Sequence, residues 1–187
     1  MVHTSAAAQE RPQPLTGGRI PENDAPSYRL WQREGGQLPA LIAVPHSGRC
    51  YPAFLLAALR QPERASLRLE DRHDDAVALP AAEATQTSLL LADAPRAMID
   101  LNRSADDIDW GMVRGPKPRM TRHSLANRRS RNGLVLVPRR LPGMGEIWRR
   151  ALDRSELDSW IAGIYHPYHA ALSHELERLR DRWGTAL

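Results

Sequence analysis

Apolar residues in this 187-residue chain come in short runs, and two of them are cut off by proline: Leu41-Ile42-Ala43-Val44 by Pro45, and Leu134-Val135-Leu136-Val137 by Pro138. A run of four suits a strand buried on both faces. No window approaches the ~18 apolar residues of a membrane span. Leu89-Leu90-Leu91 and Arg96–Leu101 read as two more strands, separated by a turn around Asp93–Pro95. Pro52 can open a helix through Arg60, and Glu70–Thr85 has acids first and alanines later, as a helix dipole favours. Pro80 should kink or end that second helix. The clearest periodicity comes last: Leu157, Trp160, Ile161, Ile164, Tyr165, Tyr168, Leu172, Leu176, Leu179 and Trp183 follow three- and four-residue steps. This is one long amphipathic face, bent at Pro167, whose ring meets the carbonyl of Gly163. Short strands alternating with helices define an α/β layered fold.

Length and composition narrow the setting. The chain is long enough for one domain, and 42% hydrophobic with 26% charged residues is ordinary globular composition rather than that of a disordered chain. Residues 1–37, with Pro12, Pro14, Pro21, Pro26 and Gly17-Gly18, are expected to form a flexible arm ahead of a domain over 38–187. Residues 104–132, broken by Gly111, Gly115, Pro116 and Pro118, read as a long loop, either functional or disordered. The start shows no basic segment followed by an apolar one, so no secretory signal is expected. Cys50 stands alone, which fits a reducing cytoplasm.

The net charge is +4, and Lys117 is the one lysine among 26 basic residues. The other 25 are arginines interleaved with acids, a pattern of ion-paired surfaces more than of nucleic-acid contacts. Aromatic residues make up 5% and do not alternate with basic ones as a single-strand stacking surface requires, so nucleic acid is disfavoured as a partner. Small acidic substrates remain suitable, because arginine forks hold carboxylates well.

Four stretches concentrate chemistry. Pro45-His46-Ser47-Gly48 follows a strand at its carboxyl end, where ligands gather in open α/β sheets, though a plain turn histidine occupies the same place. Glu70-Asp71-Arg72-His73-Asp74-Asp75 sets carboxylates three and four apart, which suits a bound cation and equally suits a helix N-terminus. Arg96, Met98, Asp100 and Asn102 would share one face of a strand, a polar row that is costly to bury unless paired; an edge strand facing solvent is the alternative. Tyr165-His166-Pro167-Tyr168-His169 lies at the helix bend, with both tyrosines on the apolar stripe and His169 either packed or a ligand.

In this order, these stretches resemble the N-formylglutamate amidohydrolase family. The matching residues are Pro45-His46-Ser47-Gly48 with Tyr51-Pro52, Asp71-Arg72-His73-Asp74-Asp75, Arg96 with Ile99-Asp100-Leu101-Asn102-Arg103, Gly133-Leu134 with Val137-Pro138-Arg139, and Tyr165-His166-Pro167-Tyr168-His169 with Leu172. The resemblance spans residues 38–187. It implies a zinc-carboxypeptidase-like, three-layer α/β/α fold with a central mixed sheet. It also implies cleavage of the N-formyl or N-acyl amide of an acidic amino acid such as N-formylglutamate, a step of histidine catabolism, with zinc or another divalent metal. Under it, His46 is a metal ligand, Asp71 the second, with Glu70 as its competitor, and Arg96, Asn102 and Arg103 clamp the substrate. The family's third ligand is expected in an Asp-x-His-Ser-Met strand after the Tyr-His-Pro-Tyr-His helix. This chain stops at Leu187, where that strand should begin, so the C-terminal strands, the third ligand and a downstream general base are expected to be missing. His73, His169 or His174 could stand in for the ligand, or the scaffold could be a catalytically silent binder of a small carboxylate.

Overall fold

Alternation along one strand organises the molecule. The computed structural model describes residues 13–116 and 135–186, and at its centre lies a four-stranded mixed sheet in the order β1-β2-β4-β3. The strands are β1 (Leu15–Gly17), β2 (Tyr28–Trp31), β3 (Leu41–Val44) and β4 (Ser88–Ala92). All five residues of β4 are buried. Leu89 and Leu91 pack with Val44 and with Ala78 and Ala82, whereas Leu90 and Ala92 join the main core of Leu30, Leu55, Trp160, Ile164 and Tyr168. A strand whose successive side chains point to opposite faces thus buries both, and helices cover each side.

β3 runs parallel to β4, with Val44 opposite Leu91, while β2 is antiparallel to β4 and β1 to β2. The parallel pair needs a crossover. It consists of α1 (Ala53–Ala58), α2 (Pro62–Leu69) and α3 (Asp74–Thr85). Pro62 opens α2, a helix not anticipated from the sequence, and residues 70–73 form a turn rather than the start of α3. Nor does Pro80 end α3: the helix runs on to Thr85, held by Ala78 and Ala82 against Leu89 and Leu91. β3 is the sheet's edge among the described residues, with Ala43 exposed, so it is not the doubly buried strand expected.

The expected flexible arm over 1–37 does not hold for its described part. β1 and β2 belong to the sheet, and Ile20 between them is fully buried. Arg96–Leu101 is not a strand either. The chain turns twice, with Met98 N–H donating to Pro95 O (2.9 Å) and Arg103 N–H to Asp100 O (3.1 Å). Of the expected strand 134–137, Leu134 lies outside the described residues. Val135–Val137 are buried, but Leu136 bonds to Asp100 and Asp107 in turns instead of entering a ladder. Residues 117–132 of the anticipated loop also lie outside the described part.

A two-stranded hairpin, β5 (Arg140–Leu141) and β6 (Gly145–Glu146), precedes the C-terminal helical run. That run comprises α4 (Arg154–Trp160), a π-helical turn (Ile161–Tyr165) and α5 (His166–Trp183). Pro167 cannot donate to Gly163 O, and the N–H of Arg19 takes that carbonyl at 2.8 Å. The approach is close enough that a Cβ on Gly163 would lie 2.6 Å from Arg19 O. No helix among the described residues is long and apolar enough to cross a membrane.

Candidate active site

His46 sits just beyond the carboxyl end of β3, and its backbone carbonyl accepts the Asp71 N–H at 3.1 Å. That bond pulls the acidic turn against the strand end. The Asp71 carboxylate then reaches His46 Nδ1 at 3.1 Å. On the other side of the ring, His46 Nε2 meets Asp100 Oδ1 at 2.8 Å. Asp100 is fully buried. Arg96 donates to its Oδ2 from Nε (3.0 Å) and Nη2 (2.9 Å), and the Asn102 N–H donates to its Oδ1 at 3.0 Å. Burial alone would raise this carboxyl, but the His46 hydrogen bond and the Arg96 charge outweigh it and hold the group at about 2.

This geometry also explains why residues 96–103 curl. A strand would send Arg96 and Arg103 to opposite faces. Two turns bring both guanidiniums and an amide onto one carboxylate. Arg103 is the less satisfied: its Nε lies 3.6 Å from Asp100 Oδ2, is buried and has no hydrogen-bond partner. One buried carboxylate therefore meets two guanidiniums and an imidazole, and of these Arg103 is the one held without a hydrogen bond from its Nε. Asn102 is exposed beside them.

The remaining anticipated residues lie around this centre. Glu70 is almost fully buried and pairs with Arg72 Nε at 3.1 Å; burial and the Glu70 charge push the Tyr51 phenol far above its ordinary range. Asp75 pairs with Arg49, and His73, ahead of α3, is exposed. His169 Nε2 bonds to Leu101 O at 3.1 Å, and burial pushes its pKa down, so a neutral ring donates this bond. His174 is exposed on α5. The sequence offers no role for Asp100 beyond its place in the polar row. Tyr165 packs against the main core, as its place on the apolar stripe predicts, and also donates its hydroxyl to Arg103 O at 2.9 Å.

A neutral imidazole has one N–H, which cannot serve two carboxylates at once. With Nε2 bonded to Asp100, the facing lone pairs of Nδ1 and Asp71 call for a positive charge between them, either a proton or a metal ion. Their 3.1 Å separation suits two ligands each ~2 Å from one ion. Among the described residues no set of three or more His, Cys, Asp or Glu side chains is arranged to hold a metal. The chain thus brings a fitting pair but not a full set of donors.

A mixed-sheet α/β protein with a histidine held between two carboxylates at a strand end is the class these features define. Residues 38–187 match the N-formylglutamate amidohydrolase family, and the chain belongs to it. Similar proteins include the N-formylglutamate deformylases of Pseudomonas putida (31% identical over 154 residues, 81% of this chain and 50% of that one) and Pseudomonas aeruginosa (29% over 154 residues, with the same coverage). The crystal structure of N-formylglutamate amidohydrolase from Ralstonia eutropha JMP134 superposes with a TM-score of 0.74 at 32% identity, covering 86% of this chain and 55% of that one. An Agrobacterium tumefaciens gene product shares the fold at 16% identity and a TM-score of 0.60. The chain spans about half the length of these relatives.

Proposed function

We propose that this chain carries the substrate-clamping part of an amidohydrolase that cleaves the N-formyl or N-acyl amide of an acidic amino acid such as N-formylglutamate. The observation that supports this most is the unsatisfied donor beside Asp100: the Nε of Arg103 is buried without a hydrogen bond, and an incoming carboxylate would complement that guanidinium. Arg96 and Asn102 flank it, the first fixing the shared carboxylate and the second offering an amide to the scissile carbonyl. Asp100 holds the His46 ring through Nε2, which aims Nδ1 at Asp71. His46 and Asp71 are the donors this chain would offer to zinc or another divalent ion, with Glu70 the competing carboxylate. Such an ion would polarise the amide carbonyl and lower the pKa of water. The single cysteine favours the cytoplasm as the setting, and histidine catabolism is the route in which this substrate arises.

Formate release from N-formyl-L-glutamate by the zinc-supplemented protein tests the reading. Release is expected, and His46→Ala and Arg103→Ala abolish it. No turnover of a panel of N-acyl amino acids under metal-replete conditions overturns hydrolysis for this chain. Calorimetric carboxylate binding without turnover or metal dependence would indicate a silent binding protein instead.

A further inference from the structure

The last residue of the π turn and the first turn of α5 are joined to the clamp by two hydrogen bonds that no substrate chemistry requires. Tyr165 Oη donates to Arg103 O at 2.9 Å and His169 Nε2 to Leu101 O at 3.1 Å, so the carbonyls on either side of Asn102 are both held. The two side chains are four residues apart on one helix face, and their rings touch at a 43° tilt with centroids 4.3 Å apart. They share that face because of the local winding. His166 N–H bonds back five residues to Ile161 O, making a π turn immediately before α5. Each residue added to a helical turn rotates everything after it, which is how such turns re-aim side chains. The turn is pinned from outside: Arg19 N–H caps the Gly163 carbonyl that Pro167 leaves free, and Gly163 has no room for a Cβ.

We infer that Tyr165 and His169, aimed by the π turn over 161–165, are positioning residues that fix the backbone of residues 101–103 and thereby the direction of Asn102 and Arg103. The inference builds on the clamp assigned to Asn102 and Arg103 above. Without the two bonds the segment keeps its fold, since Asp100 still holds the Asn102 and Arg103 amides, but it samples more orientations. Tyr165→Phe removes a hydroxyl and nothing else. His169→Phe removes the second donor, and His169→Gln returns an amide N–H near the Nε2 position.

The experiment combines amide hydrogen exchange with calorimetry on N-formyl-L-glutamate. Exchange at Asn102 and Arg103 is expected to accelerate ~5-fold in Tyr165→Phe and in His169→Phe, about the worth of one hydrogen bond, with Leu90 in β4 unchanged. His169→Gln should return exchange to near the parent rate. Affinity for the ligand should fall by a similar factor and recover in the same variant. Unchanged exchange at 102–103, Leu90 accelerating in step with them, or His169→Gln behaving as His169→Phe would overturn the inference. A parent chain that binds no N-formyl amino acid defeats the proposed function alone, and the exchange arm still decides the positioning role.

Discussion

His46 Nε2 lies 2.8 Å from Asp100 Oδ1, and this contact joins a strand end to a turn 54 residues further along the chain. It converts a lone histidine into an oriented one. The same carboxylate collects Arg96 and the Asn102 amide, and lies near Arg103, so Asp100 is the hub on which the candidate site turns.

Replacing that hub should cost much of the fold's stability. Asp100→Asn leaves two largely buried guanidiniums without their anion, and a loss of ~3–5 kcal/mol is expected in chemical denaturation at neutral pH.

The acid limb follows from the same group. Asp100 is held at about 2, against an ordinary value of 3.8, so the folded chain takes up this proton later than the unfolded one. Its contribution is complete above pH ~4 and drains away as pH falls towards 2. Denaturation curves of the parent and Asp100→Asn should therefore converge across that window; a gap that stays constant down to pH 2 would contradict the assignment.

The two arginines should separate stability from binding. Arg96 donates twice to Asp100 Oδ2, and Arg96→Leu is expected to destabilise by ~2–4 kcal/mol. Arg103→Leu removes a poorly paired buried cation, so its stability should stay within ~1 kcal/mol of the parent or rise. Calorimetry should nevertheless show carboxylate binding lost in Arg103→Leu.

Zinc titration distinguishes the two acids of the turn. Asp71 faces His46 Nδ1, whereas Glu70 is paired with Arg72. One zinc site is expected in the parent, lost in His46→Ala and Asp71→Asn and kept in Glu70→Gln. Loss in Glu70→Gln with retention in Asp71→Asn would reverse the assignment.

The π turn ahead of Pro167 depends on close backbone approach. A Cβ at Gly163 would sit 2.6 Å from Arg19 O, and one at Gly18 would sit 2.7 Å from Gly163 O. Gly163→Ala should separate Arg19 from the helix, lowering stability by ~1–3 kcal/mol through the orphaned carbonyl. An unaltered melting temperature would show that the contact contributes nothing.

Local pattern made several elements legible. The four-residue run closed by Pro45 is β3, the triple leucine lies in β4, and the three- and four-step stripe from Leu157 is a helical run with Trp160, Ile164 and Tyr168 buried. Each is decided by side-chain period within one segment. Family membership was legible too, because its motifs are contiguous.

What failed was everything set by partners distant in sequence. Residues 13–31 look like a loose arm because Pro and Gly dominate locally, yet β2 is a strand because β4 supplies its hydrogen bonds, and Ile20 is buried in the core that Trp160 and Ile164 also enter, next to an Arg19 bonded to Gly163. Residues 96–101 alternate like a strand, yet they turn because Asp100 has to satisfy Arg96, His46 and its own neighbours at once.

By itself, then, the sequence determined which residues are apolar in strand or helix rhythm and which carry the chemistry. Only the tertiary structure decided that His46 stands between Asp71 and Asp100, and that Tyr165 and His169 brace the segment carrying Arg103. Periodicity is a property of neighbours along the chain, whereas pairing a buried charge is a property of neighbours in space, and burial makes that pairing compulsory.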